Sequence, residues 1–155
     1  MDKEKVKNLV EEALLENESL FLIELSFLEN NKIYIEVDGD DGVPLSECIR
    51  ISRNVEHNLD RESEDFSLDV MTPDISKPLK NIRQYKKNIG RIMSVKTKEN
   101  DTVEGTLELA DEEKIKLVWK AREPKPIGKG KITVEKTAEI LYTDIQEAKV
   151  KILFN

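Results

Sequence analysis

Val6, Leu9, Val10, Ala13 and Leu14 recur at the three-and-four spacing that lines one face of a helix, with Glu and Lys on the remaining faces and Asp2 placed to cap it. A helix is predicted over about residues 3–16. From Phe21 the period changes to two: Phe21, Ile23, Leu25 and Phe27 alternate with their neighbours, Asn30-Asn31 offers a turn, and Ile33, Ile35 and Val37 alternate again. That is a hairpin. Beyond Asp38-Gly39-Asp40-Asp41-Gly42, Pro44 suits the first turn of a helix, and Leu45, Cys48, Ser52, Val55 and Leu59 carry a second amphipathic stripe to about Leu59. Asp60 to Asp65 reads as a charged turn, after which Phe66, Leu68 and Val70 alternate with Ser67 and Asp69. The order α-β-β-α-β predicts an α+β layer, with two helices covering a three-stranded sheet.

The second half has a different rhythm. Residues 89–97, 103–109, 114–119, 131–135 and 148–154 are short segments rich in β-branched or alternating apolar residues, separated by turn-forming or charged stretches. Five short strands in so short a chain predict a closed or partly closed β-barrel of Sm-like or SH3-like type, which removes exposed sheet edges. Residues 142–146 read as one helical turn before the last strand. Between the halves, Pro73 and Pro78 in Thr72–Leu79 can neither continue a helix nor sit in a central strand. Two domains are therefore expected, residues 1–79 and 80–155.

Charge sharpens this division. The chain has 155 residues, 37% of them charged, and a formal net charge of -7. Residues 1–79 hold 20 acids and 8 bases, whereas residues 80–155 hold 12 acids and 17 bases. The first half is thus acidic and the second basic. No apolar run approaches the ~20 residues of a membrane span, and the amino terminus lacks an apolar signal core, so a cytoplasmic protein without a membrane segment is expected. Cys48 is the single cysteine, which excludes an internal disulfide and a thiolate-rich zinc site.

Little in the chain favours catalysis. His57 is the only histidine, so any Ser-His-Asp or Cys-His arrangement must use it, but it sits on the second helix between Val55 and Leu59 with no nearby thiol pair and reads as a surface or edge residue. Cys48 lies on the apolar stripe of the second helix and reads as a packing residue. Asp38, Asp40 and Asp41 form the one carboxylate cluster that could attract a divalent cation for a hydrolase, but the loop fails the EF-hand pattern because Gly42 and Ile49 stand where oxygen ligands are needed. A solvated strand-to-helix turn accounts for it better. Gly128-Lys129-Gly130-Lys131 lacks the upstream glycine spacing and the following Ser or Thr of a phosphate loop; it is a basic loop with Lys120, Arg122 and Lys125 close by. No catalytic residue, metal or cofactor is assigned. The sharpest feature is residues 80–98, with seven bases and no acid in a chain of net negative charge. Clustered Lys and Arg neutralise phosphates, and Tyr85 is placed as a surface on which an unpaired base could stack.

Several ordered motifs together are similar to the RimP family of ribosome maturation factors: Asp41-Gly42-Val43-Pro44-Leu45-Ser46-Glu47-Cys48-Ile49-Arg50-Ile51-Ser52, Leu59-Asp60, Phe66 through Pro73, Pro78-Leu79-Lys80, Arg83-Gln84-Tyr85-Lys86-Lys87-Asn88-Ile89-Gly90, and Tyr142-Thr143-Asp144-Ile145 through Ala148. The resemblance covers nearly the whole chain. It departs from the family pattern at the junction, where Asp74 replaces a glycine, Ser76 an acid and Lys77 an arginine. What the resemblance implies is an α+β domain followed by an Sm-like barrel, with no enzymatic activity, that binds the free small (30S) ribosomal subunit and assists its late assembly as a monomer. Partners would be rRNA and basic small-subunit ribosomal proteins. On this view Lys77, Lys80, Arg83, Tyr85, Lys86, Lys87 and Arg91 contact RNA or the ribosome, while Asp38, Asp40, Asp41 and Asp60 dock a ribosomal protein. The competing reading is a general Sm-like RNA chaperone or riboregulator, which would assemble into a ring.

Overall fold

A computed structural model describes residues 1–152. The chain is α+β and divides into two compact units, Met1–Asp74 and from Ile75 onward, with the division falling inside Thr72–Leu79.

In the first unit, α1 (Lys3–Leu15) starts at Asp2, whose carboxylate accepts a hydrogen bond from the Lys5 amide at 3.0 Å. Its buried face is Val6, Leu9, Val10 and Ala13. The hairpin follows as β1 (Leu20–Leu28) and β2 (Lys32–Gly39), paired antiparallel with an irregularity between Leu22 and Glu24. Asn30 and Asn31 take positive φ in the connecting turn, the conformation that asparagine tolerates best after glycine. α2 (Leu45–Glu56) then crosses over, so that β3 (Ser67–Met71) lies parallel to β2 in a sheet ordered β1-β2-β3. Ile33, Ile35 and Val37 of β2 meet the stripes of both helices, and Leu20 and Phe66 complete the core.

α2 departs from its expected phase. Ile51 and Val55 are the fully buried positions, Cys48 is only half-buried, and Leu45 is 75% exposed. Leu59 lies beyond the helix end and packs against the core from its rim. On the flank of this buried face Arg50 spans to α1: its Nη1 donates to the Ala13 carbonyl at 2.7 Å and to Glu16 at 2.6 Å, and its Nε to Glu47 at 2.6 Å.

The second unit opens with a helix that the hydrophobic pattern did not indicate, α3 (Ile82–Lys87). β4 (Ile92–Thr97), β5 (Thr102–Ala110), β6 (Lys114–Pro124), β7 (Lys131–Leu141) and β8 (Ile145–Val150) form an antiparallel sheet in the order β7-β6-β5-β4-β8. A 3-10 turn, Tyr142–Asp144, precedes β8. The first strand begins three residues later than expected, β6 and β7 run on to Pro124 and Leu141, and the part of the expected last strand from Leu153 to Phe154 lies outside the described residues. The strand pairing is open: among the described residues, β7 and β8 are edges and no ladder joins them, so pairing does not close a barrel. One face is buried where the five strands overlap. Met93, Val95, Leu107, Ile115, Leu117, Ile140, Ala148 and Val150, contributed by all five strands, pack with Tyr85 of α3 in a single cluster.

Candidate nucleic-acid interface

The basic stretch is organised by α3 and by the polar residues that fix its ends. Asn81 caps the helix, its side-chain oxygen accepting from the Arg83 amide at 2.9 Å. Gln84 closes the capping box from within: its Oε1 accepts from the amides of Lys80 at 2.7 Å and Asn81 at 3.1 Å. At the other end Asn88 donates to the Gln84 carbonyl at 2.7 Å. Gly90, at φ +98°, turns the chain so that its amide reaches the Leu107 carbonyl at 2.8 Å, and the Leu107 amide returns to the Arg91 carbonyl at 2.9 Å. The helix is thereby anchored to β5.

The anchoring sorts the side chains. Gln84, Tyr85 and Asn88 point inward and are buried. Arg83, Lys86 and Lys87, at i, i+3 and i+4, share the outward face, with exposed Lys77 and Lys80 before the helix and exposed Arg91 after it. Lys86 forms an ion pair with Glu112 of the β5–β6 turn. That turn is itself held by Asp111, whose carboxyl is kept below the usual range because it accepts from the Glu113 and Lys114 amides.

Tyr85 is not a stacking surface for a base. It is 5% exposed and packs edge-on against Tyr142, with ring centroids 5.0 Å apart. Burial pushes its hydroxyl pKa up to about 12; Tyr142 is likewise raised to about 12, by burial first and by Tyr85 next. A tyrosine surrounded by charged residues in sequence reads as an exposed ring, but here it is the residue that pins α3 to the sheet. Beside it lies a cleft of about 340 Å³ lined by residues that include Leu79, Lys80, Ile82, Tyr142 and Ile145.

The acidic candidates do not form one patch. Asp38, Asp40 and Asp41 stand where β2 ends and turns toward α2. There the Asp38 carboxylate accepts from the Gly39 amide at 2.8 Å, and the Gly42 amide donates to the Gly39 carbonyl at 3.1 Å. A Cβ on Gly39 would sit 2.4 Å from the Gly42 carbonyl oxygen, and Gly42 has φ +87°, so this turn needs both glycines. Asp60 belongs to the turn after α2, where it accepts from Ser63 Oγ at 2.6 Å and the Glu62 amide at 2.9 Å, bonds that lower its pKa. The same turn bonds to the beginning of β2, since Asn31 donates to the Asp65 carbonyl. The eight residues of β2 thus separate the two groups, by ~25 Å at strand rise. Among the described residues, no group of three His, Cys, Asp or Glu side chains is placed to hold a metal ion. His57 is exposed at the α2 C-terminus.

A comparison with models of protein families finds no match. Curated proteins, in contrast, match along the whole chain. It is 59% identical over 154 residues to a protein of Christiangramia forsetii, covering 99% of this chain and 100% of that one. It is 51% identical over 152 residues to one of Flavobacterium psychrophilum, covering 98% of each. A Porphyromonas gingivalis protein is 33% identical over 149 residues, covering 96% of this chain and 97% of its own length. Each of the three is named ribosome maturation factor RimP.

Proposed function

We propose that this chain, which belongs to the RimP family of ribosome maturation factors, acts in the cytoplasm on the free small ribosomal subunit, as a monomeric assembly factor without enzymatic activity. The observation that carries this reading is the run of seven bases with no acid over residues 80–98. Its helix turns Arg83, Lys86 and Lys87 outward by burying Gln84, Tyr85 and Asn88. Clustered cations of this kind neutralise phosphates and displace counterions. Lys77, Lys80 and Arg91 extend the surface, and rRNA is the partner of matching charge.

The acidic first unit suits a basic ribosomal protein instead. The separation of Asp60 from Asp38, Asp40 and Asp41 divides the candidate docking residues into two possible contacts, of which the Asp38–Asp41 turn holds three of the four carboxylates. The two units act as separate domains divided within Thr72–Leu79, with the second as an Sm-like barrel. Support for the barrel comes from its single interior: a five-stranded sheet that buries one face under only one six-residue helix must curl to cover itself.

Co-sedimentation with purified small subunits, large subunits and joined ribosomes tests the proposal. Pelleting with free small subunits alone is expected, and equal pelleting with both subunits would reduce it to non-specific RNA binding.

A further inference from the structure

β6 and β7 are paired for eleven residues, from Lys114↔Leu141 to Pro124↔Lys131, but β6 meets β5 only as far as Val118. Beyond Val118 the six residues Trp119–Pro124 are paired to β7 alone. At strand rise this two-stranded ribbon extends ~20 Å past the last β5 pairing. A free ribbon of this kind buries too little to be stable by itself, so its presence calls for a use. It is closed by Lys125, whose amide donates to the Gly130 carbonyl at 3.1 Å, with Gly128 and Gly130 both at positive φ.

The ribbon is two-faced. Direct cross-strand partners place Lys120, Arg122, Pro124 and Lys131 on one face with Thr133 and Glu135, and Trp119, Ala121, Ile132 and Val134 on the other together with the ion-paired Glu123 and Lys136. Arg122 is held flat along the first face by donating to Thr133 Oγ1 at 3.1 Å. Residues 120–131 contain five bases and one acid, and that acid, Glu123, is taken by Lys136. Elsewhere in this unit Lys86, Lys114, Lys116, Lys149 and Lys151 each have a carboxylate partner. Lys120, Arg122, Lys125, Lys129 and Lys131 form no ion pair among the described residues. At the tip, between Pro126 and Gly128, Ile127 is 90% exposed.

We propose that the outer β6–β7 hairpin is an RNA-contacting arm, distinct from the surface around α3: its cationic face lies along a phosphate backbone and Ile127 wedges between bases at a bulge or junction. Unpaired cations projecting from the body match the charge of a nucleic-acid strand. Isolated apolar side chains flanked by cations are the chemistry by which proteins enter a base step and part it. A-form RNA offers such entry where bases are already unstacked rather than within its deep, narrow major groove. The inference shares the RNA chemistry of the proposed function and does not depend on which ribosomal subunit is bound.

The full chain is tested by fluorescence anisotropy against a short RNA duplex carrying one bulge and the same duplex without it. Ile127→Ala is expected to weaken binding to the bulged duplex by about tenfold, as loss of a partly buried side chain implies, with little change for the paired duplex. Lys125→Gln and Lys129→Gln should each flatten the dependence of log affinity on log salt by ~0.7. Thermal melts confirm that the variants fold. Ile127→Cys in a Cys48→Ser background, carrying a thiol-linked photocrosslinker, should label rRNA when bound to small subunits; labelling of ribosomal protein alone would overturn the proposal, as would unaltered affinities and slopes. If the parent fails to pellet with small subunits while the arm variants still lose bulged-RNA binding, the small-subunit reading falls and the arm stands; the opposite pair of results removes the arm and leaves the function.

Discussion

Gly105 sets the root of the arm. A Cβ at this position would lie 2.8 Å from the Val118 carbonyl oxygen and 3.1 Å from Trp119 Cε3. The first contact is with backbone on the neighbouring strand, where Thr106 faces Val118, and the second is with the ring at the point where β6 leaves β5. Neither atom is the end of a flexible chain. Gly105→Ala must therefore separate two paired strands or displace the indole, an overpacking that typically costs about 1–3 kcal/mol. For a domain of 60–100 residues each kcal/mol lowers the melting temperature by about 4–8 °C, so a fall on the order of 10 °C is expected if the second unit melts independently. Trp119 is the only tryptophan, and its emission reports the displacement directly, beside a melt followed by circular dichroism. Glu104→Ala, next to Gly105 but exposed and paired with surface Lys151, provides the control and should melt within a few degrees of the parent. A Gly105→Ala protein with unchanged emission and a melting point like that of the control would refute the close packing of β5 on the root of the arm.

Ile51→Ala, at a fully buried position of α2, should cost about 2–5 kcal/mol, whereas Leu45→Ala on the exposed side should change stability by less than about 0.5 kcal/mol; chemical denaturation separates them. Asn81→Ala removes the cap of α3 and should cost about 1 kcal/mol and weaken RNA binding, since the cap orients the cationic face. Hydrogen bonds from Arg50 and Asn17 hold the Glu47 carboxyl below the ordinary range. The stabilisation from its ionised form is present above the unfolded value of about 4.3 and is lost as pH falls through the lower folded value, so melts from pH 5 to pH 3 should show a shallower acid loss for Glu47→Gln than for the parent. Reversing Lys86, Lys87 and Arg91 to Glu should abolish small-subunit binding with little change in melting; a lowered melt with intact binding would instead assign the cluster to balancing charge within the chain.

What the sequence made legible follows burial. Val6, Leu9, Val10 and Ala13, and the alternation of Ile33, Ile35 and Val37, gave the first helix and hairpin because one face of each is packed. α3 was missed because its inward face is Gln84, Tyr85 and Asn88, polar or amphipathic residues whose burial depends on bonds to the helix ends. Asn81 followed by Gln84 was the available signal, a capping box without the hydrophobic run that usually accompanies it. The same absence misplaced Tyr85 on the surface. Leu45 misled for the opposite reason: its spacing fits a stripe, but it is the first residue of α2 and stays exposed while Ile51 and Val55 face the core. The arm shows the limit most clearly. The apolar pattern of β6 predicts an end at Trp119, close to where β5 stops covering it; past that point Ala121 is the one apolar residue before Pro124, too short an alternation to extend the strand by sequence, and the strand continues by its pairing to β7.

The sheet edges bear on how a partner is recognised. An uncovered edge strand would invite strand addition, and each edge here is blunted in a different way. β1 is irregular between Leu22 and Glu24, and β3 is only five residues long with Asp69 at its centre. On β8, the Ala148 carbonyl is occupied by the Leu79 amide. β7 carries Lys131, Glu135, Lys136 and Glu139 along its length, so an added strand would have to accommodate charges of both signs. With backbone pairing discouraged at all four edges among the described residues, the proposed recognition falls to side chains. The cations gathered around α3 and along the arm are the side chains best matched to a phosphate surface, and on the proposed reading the short helix and narrow ribbon that carry them would reach a folded RNA without displacing its helices.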